Sequence, residues 1–191
     1  KIDFSAYSGV IPETAPALRI AVMGKPNTGK STLVNRLLGR DVSIISDIPG
    51  TTRDVITGDF TGDNGRTYRI LDTAGIRRKK KVDEHVEYYS VNRAISSINQ
   101  ADIILLLIDA SEGLAEQDKK IASLVTRKGK GIILVLNKWD LMEQLPNQLR
   151  SVRDRVRFLF PILSFAPVLP LSAQTGSGVE NLMKQIDDVY D

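Results

Sequence analysis

Residues 24–31 read Gly-Lys-Pro-Asn-Thr-Gly-Lys-Ser, the spacing of a phosphate-binding loop. Gly24 and Gly29 free the backbone to curl, so that the amides of Asn27, Thr28, Gly29, Lys30, Ser31 and Thr32 turn toward phosphate oxygens. Lys30 supplies a point charge for the outer phosphates, and the Ser31 hydroxyl can ligate Mg²⁺. An octapeptide of this kind also arises by chance, so its surroundings carry the weight. In Asp72-Thr73-Ala74-Gly75, an aspartate at a strand end can hold Mg²⁺ through water, and the Gly75 amide can meet a terminal phosphate. Without a phosphate loop upstream, the same four residues read as a polar strand end and a turn. Pro49-Gly50-Thr51-Thr52-Arg53-Asp54 offers a threonine, Thr52 slightly ahead of Thr51. Such a threonine completes the Mg²⁺ shell only while a γ-phosphate is present. The plain alternative is a Pro-Gly turn with two solvated threonines.

Asn137-Lys138-Trp139-Asp140 brings base selection. The Asp140 carboxylate can accept from both N1–H and the 2-amino group of guanine. Adenine offers neither, and a site built on such bonds rejects the analogue lacking them by about 10⁴–10⁵. Asn137 reaches the base and neighbouring backbone, and the Lys138 stem covers a ring face. Trp139 reads as a packing residue. Ser172-Ala173 comes last, assigned by position alone, with the Ala173 amide directed at guanine O6.

These clusters need elements to hold them. Apolar runs place strands at 18–23, 54–62, 66–72, 103–109, 131–137 and 168–172, and helical spacing marks 30–38, 84–99, 116–128, 148–159 and 178–189. Gly62-Asp63-Asn64-Gly65 reads as a hairpin turn, so one strand is antiparallel. Continuous runs such as Ile103–Ile108 suit strands covered on both faces. The expected fold is a three-layer α/β/α domain with a mostly parallel six-stranded sheet, its ligand site beyond the strand carboxyl ends. Asp109, at one such end, reads as structural rather than ligating. Glu116 and Asp118 read as first-turn residues favoured by the helix dipole, and the lone His85 as a surface residue.

The chain has 191 residues, a net charge of +3 and no cysteine. Disulfides and thiolate metal sites are thereby excluded, and no apolar run approaches the roughly 20 residues of a membrane span. The expectation is a cytoplasmic protein that uses no membrane. Residues 1–17 carry Gly9, Pro12 and Pro16 without periodicity and read as a linker, with the domain itself at 18–191. The first residue is Lys, which suggests an excerpt of a longer protein.

In this order, GKPNTGKS, PGTTRD, DTAG, NKWD and SA resemble the translation-factor-like P-loop GTPases, over residues 18–189. DTAGIRRKKKV with NKWDL further resembles the second GTPase (G) domain of the EngA (Der) family. That resemblance implies a switch that binds GTP and GDP with Mg²⁺ and hydrolyses GTP to GDP and phosphate. Lys30, Thr52 and Gly75 would be its catalytic groups. Asp72, Thr73, Ala74, Gly75, Ile76, Asn137, Lys138, Asp140, Ser172 and Ala173 would join residues 27–32 around the nucleotide. It also implies an upstream G domain, a downstream KH-like domain, and action on the large ribosomal subunit and its rRNA. The isolated domain is expected to be monomeric. The alternative is a nucleotide-gated rRNA-binding module with little intrinsic hydrolysis.

Ile76 stands where Ras-like proteins place a water-orienting Gln, and it can neither donate nor accept a hydrogen bond. Asn27 offers a substitute by resemblance, since related GTPases use this Asn as a potassium ligand. Its plain alternative is a loop cap bonded to its own backbone. Arg77-Arg78-Lys79-Lys80-Lys81 forms a cationic run just after this segment. It reads as a solvated loop or, given the resemblance, as a salt-sensitive RNA contact.

Overall fold

A computed structural model describes residues 16–39, 58–71, 87–143 and 145–191. Thr52, Asp72, Thr73, Ala74, Gly75, Ile76, Arg53, the 77–81 cationic run and His85 lie outside the described residues. Six strands form one sheet: β1 (Leu18–Met23), β2 (Gly58–Thr61), β3 (Thr67–Leu71), β4 (Ile103–Asp109), β5 (Gly131–Asn137) and β6 (Val168–Pro170). Their order is β2-β3-β1-β4-β5-β6. Only the β2–β3 pair is antiparallel, with Gly58 opposite Ile70 and Thr61 opposite Thr67. The predicted turn closes it, since the Gly62 amide donates to the Arg66 carbonyl and the Gly65 amide to the Gly62 carbonyl.

Successive side chains of a strand point to opposite faces, and this divides the core in two. Ile103, Leu105 and Leu107 of β4 pack on one face beneath α1 (Lys30–Leu38) and α5 (Val179–Tyr190), against Leu33, Leu37, Leu182 and Ile186. Ile104, Leu106 and Ile108 pack on the other face. There they meet Ile98 of α2 (Glu87–Gln100), Ala122 and Val125 of α3 (Glu116–Arg127) and Val156 of α4 (Gln148–Leu159). All seven residues of β4 are buried, as expected for a strand covered on both sides. The three-layer α/β/α reading is therefore correct.

The element ends expected at 54, 72 and 84 lie outside the described residues; the others differ from expectation by at most two residues, for local reasons. Gly178 takes φ +84 and serves as the cap, so α5 starts at Val179 rather than 178. Lys128 is the cap that ends α3 one residue early. β6 stops at Pro170, although the Leu171 amide still donates to the Leu136 carbonyl. The Ser172 amide then turns away to the Ser177 carbonyl.

β1 is the central strand, with β3 on one side and β4 on the other. This is the switch point where open parallel sheets bind ligands. The carboxyl ends of β1, β4, β5 and β6 bring together Gly24, Asp109, Asn137 and the 171–173 segment.

Candidate functional site

The loop at 24–31 runs from the end of β1 into the first turn of α1. Its two glycines are required by space as well as by conformation. Gly24 has φ +143, and a Cβ there would lie 2.3 Å from the Leu107 carbonyl oxygen. Gly29 has φ +93, and a Cβ there would lie 2.1 Å from Asn137 Nδ2. Asn27 is left-handed at φ +64 and exposed. Thr28 is buried, and its hydroxyl donates to the Lys25 carbonyl at 2.9 Å. Lys30 Nζ donates to the Gly24 carbonyl at 2.8 Å and also to that of Lys25. The ammonium therefore lies within the curl of the loop. Ser31 and Thr32 open α1, with Thr32 exposed.

The Asn137–Asp140 segment sits at the end of β5. Lys138 takes φ +63 and leads into a short 3₁₀ turn, Trp139–Leu141. Asn137 is 2% exposed and bridges two other segments. Its Nδ2 donates to the Thr28 carbonyl at 2.7 Å, and its Oδ1 accepts from the Ala173 amide at 2.9 Å. The phosphate loop, the β5 end and the β6 end are thus joined through one carboxamide. The Ala173 amide, expected to face a base, is committed to Asn137 in this structure. Ser172 is buried, and its Oγ accepts from the Thr175 amide at 3.1 Å. Asp140 is exposed. Trp139 packs partly buried against the core beneath α3 and α4, and its amide donates to the Leu171 carbonyl.

Several contacts were beyond the sequence reading. Lys138 Nζ lies 2.6 Å from Asp109 Oδ2, which pins the lysine stem over the site. Burial pushes the Asp109 carboxyl up. The Lys138 hydrogen bond and two from Ser111 outweigh it and hold the carboxyl at about 2. Arg36 of α1 donates through Nε to the Ala173 carbonyl and through Nη2 to that of Gln174, both at 2.6 Å. It fixes the last loop from beneath. Lys25 pairs with Glu112 across the loop mouth at 2.9 Å. Asp118 caps α3 by accepting from the Ala115 amide at 2.9 Å. It is fully buried and burial raises its pKa. None of these partners is near its mate in sequence apart from Ser111 and Ala115, so no spacing rule finds them.

The described part of the site is a loop folded back on the Lys30 ammonium through the Gly24 and Lys25 carbonyls. The Asn137 carboxamide joins it to the segment that carries Lys138, ion-paired with Asp109, and the exposed Asp140. Among the described residues no group of three His, Cys, Asp or Glu side chains could hold a metal ion. Ser31 is the one expected Mg²⁺ ligand within them. Its hydroxyl, in the first turn of α1, suits a phosphate-bound hard cation rather than an all-protein cage.

Comparison with known proteins agrees with this geometry. A family profile described as "50S ribosome-binding GTPase" matches residues 19–138. The GTPase Der of Borrelia garinii subsp. bavariensis is 51% identical over 174 residues, 91% of this chain and 40% of that protein. The GTPase Der of Caldanaerobacter subterraneus subsp. tengcongensis is 50% identical over 91% of this chain and 39% of its own length. The chain thus spans about 40% of these curated relatives. Among solved structures, Aquifex aeolicus Era bound to GDP·AlF4⁻ superposes with a TM-score of 0.69 at 31% identity. That match covers 92% of this chain and 57% of Era. Era with MgGDPNP and a segment of 16S ribosomal RNA gives 0.68 at 32% identity, over 91% and 56% of the two chains.

Proposed function

From the premise that this chain belongs to the 50S ribosome-binding GTPase family, we propose that it is a GTP-binding and GTP-hydrolysing switch domain. It would correspond to the second G domain of a Der-type ribosome-assembly GTPase, acting in the cytoplasm on the large subunit and its rRNA. Residues 18–191 would be that domain, following a linker at 1–17, between an upstream G domain and a downstream KH-like domain. The observation that carries the reading is the Asn137 bridge. One buried carboxamide links the phosphate cradle at Thr28 to the base-side loop at Ala173. Such coupling suits a ligand with phosphates at one end and a base at the other.

In this reading the amides of residues 27–32 bind the phosphates, and Lys30 neutralises charge that grows on the outer oxygens. Ser31, with Thr52 and Asp72, would hold Mg²⁺, which when bound supplies further neutralisation of the phosphates. The Gly75 amide would orient the terminal phosphate, within the segment Asp72-Thr73-Ala74-Gly75-Ile76. Asn137, Lys138, Asp140, Ser172 and Ala173 would hold guanine. Ile76 leaves no polar side chain to orient water, which places weight on Asn27. Its exposed, left-handed position at the loop mouth supports a potassium ligand there. Relatives of about 50% identity carry the name GTPase, which favours hydrolysis over a purely gated binding module.

Asp140→Asn tests the assignment. The amide would donate where guanine also donates, so affinity for GDP is expected to fall by at least a hundredfold while xanthosine diphosphate binding rises. Unchanged guanine preference, measured by fluorescent-nucleotide competition, would remove the base-edge assignment.

A further inference from the structure

The sheet face covered by α3 and α4 presents a surface that the nucleotide site does not use. Residues 119–130 contain five cations and no acid, and residues 148–160 contain four arginines and one aspartate. Both helices pack on the same core, so their outward side chains share one surface. Phe158 on that surface is 83% exposed, Phe165 is 62% exposed and Ile162 is 47% exposed. Arg155 precedes Phe158 by three residues and so neighbours it on the helix. Arg155 and Arg157 are exposed and have no ion-pair partner among the described residues. A cavity of about 460 Å³ opens between α3 and the Pro161–Leu163 turn. It is lined by Lys119, Lys120, Ser123, Arg127 and Ile162.

A monomer leaves a large aromatic side chain open to water at a cost of hydrophobic free energy. Here the open rings alternate with guanidinium and ammonium groups. That pairing of flat π faces with phosphate-seeking charges is the recognition chemistry of single-stranded nucleic acid. A protein partner's hydrophobic patch would not satisfy the cations; Arg153 and Arg127 donate to the Val168 and Ser123 carbonyls, and Lys119 and Arg150 pair with Glu116 and Asp154, whereas Arg155 and Arg157 beside Phe158 have no such bond among the described residues. We propose that the α3/α4 face binds single-stranded RNA, with Phe158 stacking on a base, Arg155 and Arg157 on flanking phosphates, and the Lys120–Arg127 cavity taking a further phosphate. The choice of RNA over an anionic membrane rests on the ribosome-binding reading. None of the residues named for this surface is one assigned to the nucleotide or one of the cationic run 77–81 in the sequence.

The test is fluorescence anisotropy of this chain, GDP-bound, with a labelled oligouridylate of about a dozen nucleotides. Titrations span about 50 to 200 mM salt. Phe158→Ala is expected to weaken binding at least about fivefold, the low end of base–aromatic stacking, and Phe158→Trp to retain it. The double variant Arg155→Gln/Arg157→Gln is expected to flatten the log–log salt slope by about 1.4, from about 0.7 per phosphate on single strands. Duplex RNA should compete poorly. Three results overturn the proposal: no salt-dependent binding by the unaltered chain, equal binding by Phe158→Ala, or Phe158-dependent binding to anionic vesicles or to a second copy of the chain without any to RNA. GDP affinity, measured in parallel, separates the two readings. If it is intact while RNA binding fails, only the surface assignment falls; if GDP itself does not bind, the nucleotide reading falls.

Discussion

Replacing Asn137 probes the joint on which the site depends. In Asn137→Ala, the Thr28 carbonyl and the Ala173 amide lose their partners, at 2.7 Å and 2.9 Å, in a region where Thr28 and Ala173 are each 1% exposed. Each buried group left unsatisfied costs about 1–3 kcal/mol. Some water entry offsets this, so a loss of about 2–4 kcal/mol is expected before any nucleotide is added. Asn137→Asp has nearly the same shape and separates charge from packing. Its carboxylate still accepts from the Ala173 amide, but its second oxygen faces the Thr28 carbonyl. Burial and that carbonyl both raise the new group's pKa above its unfolded value. The ionised form is therefore penalised in the folded state above that raised pKa, and the penalty is relieved as pH falls through it, when the protonated oxygen donates to Thr28. Urea unfolding of the nucleotide-free protein, repeated across acid to neutral pH, measures both effects. A loss below about 0.5 kcal/mol in Asn137→Ala, with GDP affinity still reduced, would refute the joint. Asn137 would then act through the nucleotide alone.

Asp109→Asn should lower stability by about 1–2 kcal/mol near neutrality, discounted for the half-exposed Lys138. The depressed carboxyl contributes above its unfolded pKa of about 3.9. That contribution fades as pH falls toward about 2, so wild type and variant should converge there in thermal melts. Gly29→Ala should cost about 1–3 kcal/mol and weaken GDP binding, because a Cβ at φ +93 meets Asn137 Nδ2 at 2.1 Å. A melting temperature within a degree or so of wild type would show that the loop can relax. Turnover of GTP should be faster in potassium than in sodium at equal ionic strength. Asn27→Ala should abolish the difference, and equal steady-state rates in the two salts would remove potassium from the site.

Much of the framework was legible because it depends on local rules. The runs 103–109 and 131–137 are the observed β4 and β5 residue for residue, because strands covered on both faces must be apolar throughout. The span 148–159 matches α4 at both ends. The Gly62–Gly65 turn is where the hairpin reverses. The order of polar clusters likewise fixed which strand ends carry Gly24, Asp109, Asn137 and Ser172. The wiring between those ends was not legible. Asn137 reaches a carbonyl 109 residues away and an amide 36 residues away. Arg36 supports Ala173 from 137 residues upstream, and Lys138 takes its counter-ion from the end of the neighbouring strand. Such pairs are set by sheet order and strand register. The Asp109–Asn137 alignment of β4 and β5 exists only once both strands are in place. The sequence determines which groups are available and at which strand end each emerges. Tertiary packing alone determines which of them touch, because a hydrogen bond requires a distance that no spacing along the chain encodes.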